Sequence, residues 1–321
     1  MKARTLVLAT ALLAVARASE AQQSGVTEFT VAGVRVIFKP VTANEIIAVR
    51  LYLRGGSANL TPQSAGIERF AGELARRGTE RFSADAFAAL AARTGTRIAV
   101  EAGHDFTVFT LRTVRDSWND AWELFTQAAL HPTFPADQFA LVREQLLSLL
   151  RQRADDPGAQ LTYLADSVFY AGHTYALQPE GSEAALGALT RDDLVRWHGE
   201  RFTKENLLLV VVGNVARADV EARIAAAFGP LPARGGTARR PGPYTARPAD
   251  VMVVPRRLPT NYIMGLFVAP ARSDADDAAA NVGIRILSER LFEEVRTKRN
   301  LSYGVGAGLH ADRVNAGVLY V

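Results

Sequence analysis

The sequence contains no cysteine. That excludes a disulfide framework, a thiol nucleophile and any cysteine-based metal site. Histidine is sparse: His104, His131, His173, His198 and His310 are the full set, and no two stand three or four positions apart. A helical histidine pair for a metal is therefore missing, and each histidine reads as a loop or surface residue. Lysine is confined to Lys2, Lys39, Lys204 and Lys298, so nearly all positive charge is arginine. The basic residues are scattered, whereas a nucleic-acid surface would cluster them, so no nucleic-acid partner is expected. The one concentration, Arg234 to Arg247, lies in a Gly/Pro-rich run and reads as a solvated linker. No apolar run of about 18 residues follows the N-terminus, so no membrane span is expected.

What remains is an ordinary globular composition, with 48% hydrophobic and 22% charged residues. The 321 residues are enough for two domains. The N-terminus has the form of an export signal. Lys2 and Arg4 supply a positive start, Thr5 to Ala16 an apolar stretch, and Ala18 or Ala21 a small residue at the cleavage spacing. Residues 1–21 are therefore expected to be removed, most simply on the way to a bacterial periplasm. Cleavage after Ala21 takes away three basic residues and one acidic residue, lowering the net charge from +4 to +2.

Periodicity organises the rest. Val34 to Phe38 and Ile46 to Leu53 read as a strand pair joined by the turn from Pro40 to Glu45. Ile67, Phe70 and Leu74 then fall on one stripe of a helix that stops near Gly78. Ser83 caps a second helix, and Thr96 to Glu101 with Asp105 to Thr113 form a hairpin turned at Gly103. Helices are expected from Asp116 to Ala129, Pro135 to Ala154, Leu161 to Phe169 and Thr190 to Phe202. Leu207 to Val212 is the most apolar run of the chain and reads as a central strand. A last helix spans Ala218 to Phe228. The Pro/Gly density of residues 231–250 marks a linker between a first domain, 26–230, and a second, 251–321. The second repeats the pattern of the first: strands at Val251 to Val254 and Tyr262 to Val268, a helical region from Ser273 to Arg296, and a hairpin from Leu301 to Leu309 with Val314 to Val321. The echo breaks off there, so the second domain is expected to be incomplete.

Several pieces, in this order and spacing, carry a resemblance. They are Arg54-Gly55-Gly56-Ser57-Ala58 before the first helix, Asp155-Asp156-Pro157, His173-Thr174-Tyr175 and Val211-Val212-Gly213-Asn214-Val215. The last is the run from Leu291-Phe292 through Val295-Arg296 to Leu301-Ser302-Tyr303. Over residues 28–321 the chain resembles the M16 peptidases, the group of insulinase, pitrilysin and the mitochondrial processing peptidases, in their short bacterial form. The resemblance implies an α+β fold of two homologous domains, each a mixed β-sheet covered by helices.

It also implies where a zinc site would lie. The family's inverted motif, H-x-x-E-H, offers two histidines to zinc and a glutamate as base, and a second glutamate on the long helix completes the ligands. Aligned on Gly66 to Glu73, the ligand positions hold Arg69 and Glu73, and the base position holds Gly72. The third ligand position, 76 residues beyond Glu73, is Leu149. Arginine has no lone pair to give, and glycine and leucine have no donor. Catalytic and metal residues of its own are thus not expected, and no cofactor in this chain; the zinc would be in a partner. Read without the resemblance, Arg69 and Glu73 are a surface pair on a helix. The family's second-domain pair, an arginine and a tyrosine seven residues apart that contact substrate, is kept as Arg296 and Tyr303. Without the resemblance, Arg296 is a cation at a helix C-terminus and Tyr303 a half-buried aromatic opening a strand. The implied role is a zinc-less subunit that binds extended peptide beside a zinc-bearing M16 subunit. The alternatives are a non-enzymatic peptide-binding or scaffold protein of the same fold, and, last, an active zinc endopeptidase with a rearranged site.

Overall fold

The structure, a computed structural model, describes residues 25–236, 238–246, 248–310 and 312–321. The expected export segment lies outside them. The chain is α+β, with two sheets covered by helices.

The first sheet has six strands: β1 (Thr27–Val31), β2 (Val34–Pro40), β3 (Ile46–Arg54), β4 (Arg97–Ala102), β5 (Phe106–Val114) and β6 (Leu207–Gly213). Their order is β1-β2-β6-β3-β5-β4. The expected β2–β3 pair is therefore not a pair. Strand β6 enters between them, parallel to β2 (Val36 beside Leu209) and antiparallel to β3 (Leu51 beside Leu209). The physical reason is hydrophobicity: β6 is apolar on both faces, and the sheet centre is where such a strand loses least to water. The unexpected edge strand β1 folds onto β2 through Ala32 and Gly33, both with positive φ (50° and 86°), as a two-residue hairpin requires.

Alternation divides this sheet into two faces. Val34, Val36, Phe38, Ile47, Val49, Leu51, Leu53, Leu209 and Val211 are buried under helices. Arg35, Arg50, Tyr52 and Arg54 point the other way and keep contact with solvent. The covering helices are α1 (Ile67–Ala75), α2 (Ala84–Arg93), α3 (Trp118–Leu130), α4 (Ala136–Asp155), α5 (Pro157–Phe169), α6 (Glu183–Ala188), α7 (Arg191–Arg201) and α8 (Arg217–Phe228). Their ends follow local chemistry. The Ser83 hydroxyl accepts from the Ala86 amide at 3.2 Å, and Thr190 with Asp193 forms a capping box. Asp156 accepts from the Ala159 amide at 2.6 Å, with Pro157 in the first helical turn, so one short sequence both ends α4 and starts α5.

The second sheet has three antiparallel strands, β7 (Met264–Val268), β8 (Gly306–Leu309) and β9 (Ala316–Tyr320), in the order β7-β9-β8. Helix α9 (Asp277–Leu291) lies on β8 and runs into a π-helical turn, Phe292–Thr297. The expected strand Val251 to Val254 does not form. Its side chains are between 47% and 85% exposed, and a strand without a ladder partner has nothing to hold it. The two units meet at the rim of the first sheet. The Asp105 carboxylate accepts from the Tyr175 hydroxyl at 2.7 Å and from the Arg313 amide at 2.9 Å, and the Tyr170 hydroxyl donates to the Val314 carbonyl at 3.2 Å. No helix among the described residues is long and apolar enough to cross a membrane.

Candidate functional site

Helix α1 is held in place by a buried carboxylate. Glu68, 2% exposed, accepts from the Gly56 amide at 3.0 and 3.1 Å and from the Thr107 hydroxyl at 2.7 Å. Burial pushes its carboxyl above the usual range, against those hydrogen bonds and the charge of Arg201. Arg201, itself buried, donates to the carbonyls of Arg54 (2.6 Å) and Gly236 (2.9 Å). Gly56 has φ 80°, and a Cβ there would stand 1.8 Å from the His104 carbonyl oxygen, so only glycine lets the strand turn into the helix so tightly. The glycine pair and Glu68 are thus one clasp between β3 and α1. The sequence signal for it was present in Arg54-Gly55-Gly56-Ser57, but nothing local marks Glu68 as its other half.

The zinc-motif positions lie along this helix, and each is already committed. Arg69 faces Glu180 at 4.0 Å, and Glu73 is paired with Arg76 one turn on. The Arg69–Glu73 pair suggested by the sequence does not form, since each side chain has a nearer partner in its own direction. Gly72 is buried, and a Cβ built on it would meet Val100 Cγ1 at 2.3 Å and Cβ at 2.9 Å. Strand β4 has closed onto the helix where the family's base would project. Leu149, on α4, is 48% exposed while its neighbours Leu146, Leu147 and Leu150 are buried. Helices α1 and α4 are locked side by side by Phe70 stacked on Phe139 at 4.7 Å. These residues do not fit zinc: one position is cationic, one is filled by a valine, one is aliphatic, and the single carboxylate is ion-paired. Among the described residues no group of three or more His, Asp or Glu side chains is arranged to hold a metal.

Arg296 and Tyr303 are brought together. Arg296 sits in the π-helical turn, and its Nη1 donates to the Tyr303 carbonyl at 3.0 Å. Its guanidinium lies 4.2 Å from the centre of the Tyr303 ring and 5.0 Å from that of Phe292. Tyr303 is 84% exposed, and it lies in a bend before β8 and not in the strand itself. On the helix before it, of Ile284, Leu287, Leu291 and Val295 only Ile284 is fully buried. The stacking fixes two flexible side chains in one geometry, and the ring and hydroxyl face solvent. An arginine beside a tyrosine can donate to a carbonyl oxygen or a developing oxyanion.

Two of the scattered histidines are structural. His104 Nδ1 donates to the Ser57 hydroxyl (2.8 Å), which itself donates to the Leu177 carbonyl (2.7 Å). His198 Nε2 donates to the Ala129 carbonyl at 2.9 Å and its ring stacks on Phe202 at 4.1 Å. Burial lowers both to about 4, so both rings are neutral near pH 7.

Comparison with known proteins shows the family of the chain. The family model described as "Insulinase (Peptidase family M16)" matches residues 35–172, and the model described as "Peptidase M16 inactive domain" matches residues 188–321. The second match takes in α7, β6 and α8 of the first sheet as well as the whole second unit. An uncharacterised zinc protease of Mycobacterium leprae is 25% identical over 298 residues, covering 90% of this chain and 67% of that protein. The uncharacterised zinc protease YmxG of Bacillus subtilis is 21% identical over 291 residues, covering 90% and 71%. The chain thus spans about two thirds of the length of these relatives. Among solved structures, a peptidase M16 inactive domain from Pseudomonas fluorescens superposes with a TM-score of 0.80 at 25% identity, covering 92% of this chain and 74% of that one. A Helicobacter pylori protease superposes at 0.81 and 20% identity with the same coverage.

Proposed function

Because the chain belongs to the M16 peptidase family, we propose that it is a zinc-less subunit which binds extended peptide and lends Arg296 and Tyr303 to a zinc-bearing M16 partner in proteolysis. The reading includes export, from the signal pattern of residues 1–21. The observation that carries the zinc-less part is the contact at Gly72: Val100 stands 2.3 Å from where a side chain would begin. Restoring a base would therefore require the sheet to move as well as the residue to change. The stacking of the half-buried Arg296 on the exposed Tyr303 ring supports the contributing role, because donors already held together in one geometry need little reorganisation to meet a substrate backbone.

The test is co-purification with an M16 protein that carries an intact H-x-x-E-H, followed by an assay of peptide cleavage. The pair is expected to cleave where this chain alone does not. Arg296→Ala and Tyr303→Phe in this chain should each lower the rate of the pair by about 100-fold, the low end of the range for loss of one transition-state donor. Unchanged activity in both variants would sink the shared-site reading. Metal analysis of this chain purified alone is expected to find no stoichiometric zinc, and one zinc per chain would refute the zinc-less assignment.

A further inference from the structure

A cavity of about 680 Å³ opens at the end of the first sheet, on the face turned away from the helices. Its floor is the open face of β3, β5 and β6, with Tyr52 and Phe106 in edge-to-face contact at 5.1 Å and Leu208 beside them. Residues 238–241 of the connecting segment and residues 271–273 and 312–313 of the second unit form its walls. The volume is in the range of a small-ligand or peptide-segment site.

The charge of the lining is one-sided, with seven cationic side chains and three carboxylates. The carboxylates are engaged or subdued. Asp105 accepts from Tyr175 and from the Arg313 amide, Glu205 accepts from the Gly235 amide at 3.1 Å, and burial beside Asp105 pushes Asp312 toward its neutral form. Three cations are also occupied: Arg35 by Glu28, Lys204 by the Gly229 carbonyl at 2.7 Å, and Arg313 by Asp105 at 3.9 Å. The other four, Arg54, Arg239, Arg240 and Arg272, line the cavity with no hydrogen bond or ion pair to their side chains among the described residues. Unpaired arginines around one concavity raise its potential and concentrate anions there. Read from sequence alone, Arg239 and Arg240 belonged to a solvated linker; the fold carries that linker back over the sheet.

We propose that this cavity takes an extended peptide segment bearing clustered carboxylates. Tyr52 and Phe106 would meet its apolar side chains, and Arg54, Arg239, Arg240 and Arg272 would pair its acidic ones. The proposal rests on the peptide-binding reading above and adds the substrate class: acidic rather than neutral or basic peptides. Arginine suits the role because its planar fork binds a carboxylate with two parallel hydrogen bonds.

The experiment is fluorescence anisotropy with the purified chain and two labelled peptides of equal length. Each has a central phenylalanine, flanked by glutamates in one and by glutamines in the other. The glutamate peptide should bind about tenfold more tightly, and added salt should remove that advantage. The variant Arg239→Gln/Arg240→Gln/Arg272→Gln should lose the preference while still binding the glutamine peptide. Arg93→Gln, an exposed change at the far end of α2, should leave the preference intact. The salt titration of the unaltered chain tests the idea even if the triple variant folds poorly. Equal, salt-independent binding of both peptides would leave the peptide reading standing and overturn the acidic preference. Binding of neither would overturn the peptide reading, and this inference with it.

Discussion

The two units of this chain keep their hydrophobic residues in opposite ways. In the first, one continuous core runs from Val34 to Phe228 and includes Phe70, Phe109, Phe125 and Leu111, each 2% exposed or less. In the second, Ala269, Ile284, Val305 and Ala316 are the hydrophobic residues buried among those described, while Val251, Val253, Val282, Leu301 and Tyr303 are more than half exposed. Helix α1, which carries Arg69, Gly72 and Glu73, is packed into the core of the first unit. The stacked pair Arg296 and Tyr303 stands on the loosely covered second unit, with the Tyr303 ring open to solvent. The positions aligned with a zinc motif and the Arg296–Tyr303 pair therefore lie on backgrounds of very different packing.

The largest expected effect sharpens this contrast. Phe70→Ala should cost about 3–5 kcal/mol in urea unfolding, because it opens a cavity between α1 and α4. Ile284→Ala in the second unit should cost less than about 2 kcal/mol, since its shallower surroundings can collapse. Comparable losses would break the comparison.

Acid is the next lever. His104 and His198 are held neutral in the folded chain with pKa values of about 4, whereas an unfolded histidine takes up its proton near 6.5. The unfolded state therefore binds more protons between those values. The contribution of each histidine is fully present above pH 6.5 and is lost as pH falls toward 4, by on the order of 3 kcal/mol apiece. Melting temperatures at pH 7, 6 and 5 should fall progressively. His198→Gln, which keeps a donor for Ala129 but does not titrate, should flatten the fall. An unchanged slope would place the acid sensitivity elsewhere.

A smaller effect concerns helix α1 itself. Gly72→Glu should destabilise by about 1–3 kcal/mol through overpacking against Val100. Val100→Gly made in the same chain should return part of that loss, and a double-mutant cycle with no coupling would mean that the close approach at Gly72 is not what excludes the base. The smallest effect is expected at the contact pair. Arg296→Ala should change stability by no more than about 1 kcal/mol, since an exposed cation–π contact is worth little to the fold. A larger loss would make that arginine part of the architecture.

Local signals were legible in the sequence because they are satisfied locally. Ser83, the Thr190–Asp193 box, the hairpin at Gly103 and the apolar run of β6 all act within a few residues. The insertion of β6 between β2 and β3 was not legible, because strand order depends on which distant edge an apolar strand reaches. Side-chain partners failed for the same reason. Glu73 looks back to Arg69 in sequence but turns to Arg76, and Arg69 reaches Glu180 more than a hundred residues away. The positions of Arg69, Gly72, Glu73 and Leu149 followed from the resemblance to the M16 motif, but Val100 did not, since no local pattern brings β4 against α1. The basic cavity was hidden similarly, its arginines being spread over three segments.

The place of β6 also constrains the order in which the molecule can be made. Its partner β2 begins at Val34, yet the pairing of Val36 with Leu209 must wait until the ribosome has delivered the strand between Leu207 and Gly213. At ordinary synthesis rates that gap lasts on the order of 10 s or more. Throughout it β2 and β3 each have an unsatisfied edge, and the central row of the sheet is missing. The sheet of the first unit cannot close from its N-terminus inward, and a slow long-range capture, exposed to mispairing, is the step expected to limit its folding. A nascent chain shorter than about 215 residues should therefore be the form of this protein most in need of a chaperone.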